Sequence, residues 1–447
     1  MRKLLFIGLV LLSLQVVAQQ DIPNTFTLQE AIDYALQNNR NAILANKDIT
    51  AAEKQKWETT ATGLPQINAE VNYQNFLKQQ VSVVPAEFFG GQPGELAEVI
   101  FGAKQTATGT ATLSQKIFDG TYLVGLQSAK VFLEISKNAK IKTDLQVREG
   151  VINAFGNVLL AQESISILES NIEVLEKNLF DITKIYENGF EEEESVEQLK
   201  ITLSGVKNQL NKTKRLETIA YQMLNLTLGI PYNYSITLTD NLETLTQRNI
   251  LFDTNGSNEV TSTIDYLIAQ NDKTAKELLV KLEKSKALPT LSAFLNGGYS
   301  SFGDEFVFLD KDNKWFASSL LGVNLKIPIF SSLGRSAATQ RAEINLDKAE
   351  LQLIETEQKL QLQINSAKND YEFAVEDYEN KKENLALAQR IESKNQTKFF
   401  EGVATSFDLR QAQIQLYTTQ QEYLQTMLNV LNAKAKLETL TNQTSTY

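Results

Sequence analysis

The chain has 447 residues, 54 acidic against 43 basic, a formal net charge of −11, and neither cysteine nor histidine. That composition excludes disulfides, thiolate metal sites, a lipid-bearing N-terminal cysteine, histidine-dependent triads and histidine-bound zinc. The acidic balance argues against nucleic acid as partner, and no GxxxxGKS/T or GxGxxG loop occurs, so the chain reads as a non-enzyme without a cofactor.

Residues 1–18 read as a secretory signal peptide: Arg2 and Lys3, an apolar run from Leu4 to Leu14, then Val16-Val17-Ala18 as cleavage site. The run is shorter than the roughly 18–20 apolar residues a spanning helix needs, and no later stretch reads as a membrane-spanning helix. A first structural repeat, 19–232, contains segments at about 66–76 and 106–117 that alternate with period two. In the second, Ala107, Gly109, Ala111 and Leu113 face one way and Thr108, Thr110, Thr112 and Ser114 the other. Between them 77–105, with Pro85, Gly90-Gly91 and Pro93-Gly94, reads as a long loop.

From about Thr121 to Tyr186 there is no proline, and an apolar stripe recurs at steps of four and three. It runs Val147, Val151, Ala154, Val158, Ala161, Ile165, Leu168, Ile172, Leu175, Leu179, Ile182, Tyr186, with Ile152, Phe155 and Leu159 beside it. Such a helix, about 65 residues, is on the order of 100 Å long. A turn at Gly189 leads to a shorter return helix that ends at Gly229-Ile230-Pro231. The linker 233–258 holds a brief strand, Tyr234–Leu238, and then a polar stretch ending in the loop Asn255-Gly256-Ser257-Asn258.

The second repeat, 259–441, says the same again before a tail at 442–447. Ala287-Leu288-Pro289 answers Gly63-Leu64-Pro65, and Ile329-Phe330 answers Ile117-Phe118. Its strands fall at about 290–301 and 316–328, where Leu321, Val323, Leu325 and Ile327 oppose Gly322, Asn324 and Lys326. A long helix from about Ser336 to Phe400 carries Leu346, Ala349, Leu353, Thr356, Leu360, Ile364, Ala367, Tyr371, Ala374 and Tyr378 on one stripe. After Gly402 the return helix carries Leu409, Ala412, Leu416, Thr419, Tyr423, Thr426, Val430, Ala433, Leu437 and Leu440. A repeat this long is a duplicated domain half, since solenoid units recur every 20–50 residues or so.

Strands of roughly 10–12 residues, apolar on one side, match tilted strands crossing an outer membrane; a half-buried water-soluble sheet is the other reading. In lipid an open sheet edge leaves unpaired backbone groups, and spanning barrels need about eight strands, so four strands per chain call for several copies. Small seam residues such as Ala and Thr suit helices wedged side by side in a tube, with a fibrous coiled-coil stalk or adhesin lacking a pore as the alternative.

Taken together these residues resemble the TolC-type outer membrane factor family over nearly the whole mature chain. The opening Thr27-Leu28-Gln29-Glu30-Ala31-Ile32-Asp33-Tyr34-Ala35-Leu36-Gln37-Asn38-Asn39 is similar to the family's entry helix, and Leu-Pro before each first strand is typical. So is Leu325-Lys326-Ile327-Pro328-Ile329-Phe330-Ser331-Ser332-Leu333-Gly334. The resemblance implies an α+β membrane protein: a homotrimeric, twelve-stranded transmembrane β-barrel continued by a periplasmic α-helical barrel, in a Gram-negative outer membrane, with 233–258 as equatorial linker. It implies a passive exit duct and, as partners, further copies of the chain, outer membrane lipid, a periplasmic adaptor and an inner-membrane pump.

Residue by residue, the family's first constriction aspartate matches Asp408 and its second falls on Gln411. The tyrosine and arginine that tie the closed tip fall on Phe399 and Ala404, and the partner aspartate on Glu197. Phe399 has no hydroxyl to donate. The turns Tyr186–Glu197 and Phe400–Phe407, with Gly189, Gly402 and Thr405, are the expected adaptor-docking tips. The acidic run Glu191–Glu194 reads either as a solvated face or as a contact for a basic adaptor surface.

Overall fold

The computed structural model describes residues 22–250, 259–444 and 447. The signal-peptide segment and the loop at 255–258 lie outside the described residues. The first half runs β1 (Thr25–Phe26), α1 (Leu28–Asn38), α2 (Arg40–Ala61), β2 (Gln66–Asn75), β3 (Val81–Pro85), β4 (Leu96–Ile100), β5 (Gln105–Phe118), α3 (Gly120–Glu187) and α4 (Glu193–Leu228). A linker holds β6 (Thr237–Leu238) and α5 (Leu242–Asn249). The second half runs α6 (Ile264–Ser285), β7 (Thr290–Gly303), β8 (Phe316–Lys326), α7 (Gly334–Phe400) and α8 (Ser406–Thr441). Two compact units emerge: Ile49–Ser136 with Ala269–Leu353, and the described residues up to Asp48 with Lys137–Ile268 and Ile354–Tyr447.

The first of these units is built on a four-stranded sheet, order β2-β5-β7-β8, antiparallel throughout. Because side chains alternate along every strand, the register decides which residues share a face. Ile67, Leu113, Leu295 and Leu321 stand in one row across all four strands. Val71, Gly109, Tyr299 and Ala317 form another row on that face. On the opposite face Glu70, Thr110, Gly298 and Ser318 stand together, and Asn296 donates to Thr112 Oγ1 at 2.8 Å. One face is therefore apolar and the other mostly hydroxyl and amide. The apolar side chains are bare: Val71 is 84% exposed, Leu321 73% and Val323 65%.

Close packing explains two glycines. A Cβ on Gly298 would lie 2.5 Å from the Gly109 carbonyl, and one on Gly322 would strike the Phe294 ring. The loop 304–315 turns onto the apolar face at the far end of the sheet. There Phe308 is buried, Tyr73 meets Phe306 and Phe308 edge-on at 5.5 and 5.8 Å, and Asn313 bonds Ser301 at 2.9 Å. The segment 77–105, read from sequence as a loop, contains the hairpin β3–β4, joined through a short 3-10 turn and left-handed Gly90. Its strands are five residues each, too brief for alternation to stand out from the surrounding Gly and Pro. Past β8, Ser332 and Leu333 adopt positive φ, 49° and 63°. The Arg335 guanidinium holds this bend by donating to the carbonyls of Pro328 at 2.9 Å and Ile329 at 3.3 Å.

The other unit has a continuous helical core. Val151, Ile152, Phe155 and Val158 of α3 are buried with Leu224 and Leu228 of α4, Tyr371 and Tyr378 of α7, and Leu424 and Leu431 of α8. The seam positions read from sequence are buried or half-buried, except Tyr186, which is exposed at the end of α3. By length and composition α3 also holds a stretch apolar enough to cross a membrane, half of it buried. That corrects the sequence reading: its apolar flank widens the core-facing stripe of a 68-residue helix.

α1 begins with a capping box in which Thr27 and Glu30 bond each other's backbone N–H. β1 and β6 pair in parallel, joining the described start of the chain to the linker. The described part of the linker, 233–250, is also more structured than its polar sequence implied. Asn241 caps α5 by accepting from the Glu243 and Thr244 N–H groups, and Leu242 and Leu245 are buried. Asn249 then receives a bond from Lys434 Nζ at 2.5 Å, beside the buried pair Arg148–Glu438 at 3.1 Å, while the Tyr371 hydroxyl donates to the Asn249 carbonyl at 2.6 Å.

Candidate functional site

The two hairpin tips are built alike. Each long helix ends on a glycine with positive φ, Gly189 at 80° and Gly402 at 73°. In the first turn the Gly189 N–H donates to the Tyr186 carbonyl at 2.8 Å and the Phe190 N–H to Ile185 at 3.1 Å. In the second, Gly402 donates to Phe399 at 3.0 Å and Val403 to Lys398 at 2.8 Å. Both are Schellman endings, which satisfy carbonyls left over by the last turn and call for a residue at ease with φ > 0. Phe190 and Val403, the residues after each glycine, point into solvent, Phe190 being 83% exposed.

The return helices begin differently. α8 opens with a capping box: Thr405 Oγ1 accepts from the Asp408 N–H, while Asp408 Oδ2 accepts from the Thr405 N–H at 3.0 Å and hydroxyl at 2.6 Å. These bonds, the hydroxyl's first, hold the exposed Asp408 carboxyl below the usual range. α4 opens on Glu192 without a side-chain cap, and Glu193 and Glu194 occupy its first turn, where the helix dipole favours negative charge. Ser195 donates to Glu191 at 2.5 Å and Gln198 to Glu194 at 2.6 Å. Part of the acidic run is thus committed to local bonds.

Phe399 is buried beside Leu175, Ile182, Val196, Leu199 and Leu409, in an apolar cluster beneath both tips. Ala404 gives its N–H to the Lys398 carbonyl at 3.2 Å. Glu197 and Gln411 are exposed on the second turns of their helices. The tips are brought together by residues that the sequence did not single out: the Ser195 and Ser406 hydroxyls lie 2.8 Å apart, and Arg410 donates to Gln198 while covering the Phe407 ring at 5.4 Å. The only signal was positional, a serine shortly after each turn glycine. Higher up, Glu392 is half-buried and its carboxyl is pushed up by burial, with the Gln413 amide opposing.

No metal-binding cluster of His, Cys, Asp or Glu exists among the described residues.

Residues 269–443 match the outer membrane efflux protein family. No curated protein matches the chain in sequence. Among solved structures, CusC, described for its folding and transmembrane channel formation, aligns with TM-score 0.76 and 17% identity over 92% of this chain and 91% of its own. The Campylobacter jejuni CmeC outer membrane channel aligns with TM-score 0.74 and 17% identity over 94% and 87%. The outer membrane protein VceC of Vibrio cholerae aligns with TM-score 0.70 and 16% identity over 92% and 95%. Residues 269–443 therefore carry an outer membrane efflux protein domain, and the chain as a whole has the fold of the outer membrane channels.

Proposed function

We propose that the chain is the outer membrane exit duct of a tripartite export system in a Gram-negative bacterium. Three copies close a twelve-stranded barrel, and the long helices form a periplasmic tunnel fed by an inner-membrane pump through a periplasmic adaptor. The observation that supports this most is the sheet, with a bare apolar face, a hydroxyl and amide face, and two open edges. Lipid covers such a face at no cost, whereas each unpaired edge group in lipid costs several kcal/mol. The edge strands β2 and β8 run in opposite directions. β8 of one copy and β2 of the next therefore pair antiparallel, like every other neighbour in the wall. Four strands are too few for a barrel and three copies supply twelve.

The tips are the adaptor-docking surface in this reading. Phe190, Val403 and Phe407 are exposed there beside Glu192 and Glu193, offering apolar contact ringed by negative charge. Asp408 and Gln411 then lie where the tunnel narrows. Planar-bilayer recording of the full chain tests the reading: discrete conductance steps are expected. Helical, folded protein that never conducts would instead be a structural envelope protein.

A further inference from the structure

The two halves of the duplicated sheet have different polar faces. On β2 and β5 that face carries Asn68, Glu70, Asn72, Thr108, Thr110 and Thr112, with no aromatic residue. On β7 and β8 it carries Phe294, Phe302, Phe316 and Leu320. Phe294 has a structural reason, since its ring fills the space over Gly322. Phe302 and Phe316 have no such glycine. Phe316 stands opposite Ser300, one pleat from Phe302, and the two rings lie 6.2 Å apart with planes tilted by 46°. They are 52% and 56% exposed, at the end of the strands far from α6 and α7. The aromatic group of Tyr73, Phe306 and Phe308 occupies the other face.

We propose that Phe302 and Phe316 form an aromatic contact station inside the barrel lumen, binding the flat apolar face of a passing aromatic solute. The hydroxyls of Thr106, Thr108, Ser300 and Ser318 stand beside it on the same face and bond the solute's polar edge. The inference rests on the sheet being a barrel wall with its polar face inward. Exposed aromatic area on an otherwise hydroxylic wall favours apolar contact over water, and ring–ring contact adds geometric preference. Three copies set three stations around the mouth, separated by the amide and carboxylate sector of β2 and the hydroxyl sector of β5. Lys116 and Lys326 lie at the other end of the strands and Glu70 stands on β2 of the same face, so the station adds discrimination by apolar surface to the charge the wall carries. Each contact is weak enough to release its solute, as conduction requires.

The test records single channels of the full chain in a planar bilayer, with rhodamine 6G added on the loop side and raffinose as a polar probe. Wild type is expected to give transient blocks with the dye and none of comparable duration with raffinose. Phe302→Ser combined with Phe316→Ser should shorten the dye blocks about fivefold or more while leaving open conductance equal or larger. Phe302→Leu and Phe316→Leu, which keep apolar bulk, should give intermediate durations, and they serve as the readout if the serine variant fails to insert. Dye blocks of wild-type length in the variants, or no dye blocks in a conducting wild type, overturn the station alone. A wild type that never conducts overturns the duct reading and the station with it.

Discussion

At Asp408 a helix cap coincides with the proposed constriction position. Its carboxylate closes the capping box with Thr405, and a folded-state pKa below the ordinary Asp value makes that contact stabilising above about pH 4. The support fades as the pH falls through the depressed value. Thr405→Ala should fray the first turn of α8 by about 1 kcal/mol, seen as faster amide exchange there. Asp408→Asn should loosen the same cap and, if three copies ring the tunnel, also lower cation selectivity and weaken block by trivalent cations. Unchanged selectivity in Asp408→Asn takes this aspartate off the pore wall. Glycines give a second contrast. Gly402 and Gly229 both have positive φ, but a Cβ at Gly402 meets open space whereas one at Gly229 would lie 2.1 Å from the Asn38 carbonyl. Gly402→Ala should cost about 1–2 kcal/mol. Gly229→Ala should cost clearly more, because the backbone around Asn38 must move as well; equal losses in thermal unfolding would contradict the clash.

Among the elements, the strands make the sharpest claim, because neighbours in sequence have opposite environments. Val323 belongs to the bare apolar face and Asn324 to the polar one. Val323→Lys should cost roughly 2–4 kcal/mol if it lies near mid-bilayer, and Asn324→Lys much less. Folding yield into lipid vesicles measures this, and equal tolerance at the two positions would mean a water-soluble sheet. The helices divide their labour differently. Seam positions on α3, α7 and α8 are buried within one chain, yet Leu351, Leu362 and Phe373 of α7 remain exposed, apolar surface that helices of a neighbouring copy would cover in a tube.

For the molecule as a whole, the open edges at β2 and β8 set the expectation. Native mass measurement in mild detergent should give three chains per particle, and a stable monomer retaining its full strand content would remove the reason for a trimer.

Local repetition determined what could be read from the sequence alone. Strand alternation follows from the pleat and helical seams from 3.6 residues per turn, so β2, β5, β7 and β8, the faces of Leu113 and Val323, and both long helices were legible from neighbouring residues. So were Gly189 and Gly402, because a helix end with positive φ favours glycine. The neighbours across the sheet were not: nothing near Ala111 says that it faces Gly297, and nothing near Phe26 says that it pairs with Leu238. α5, an eight-residue helix, has too few turns to display a period and is held by the buried Lys434 and Tyr371. At the tips, the burial of Phe399 and the meeting of Ser195 with Ser406 required two hairpins to pack side by side. Those contacts join segments far apart in the chain, and only the set of contacts that can coexist in three dimensions selects them.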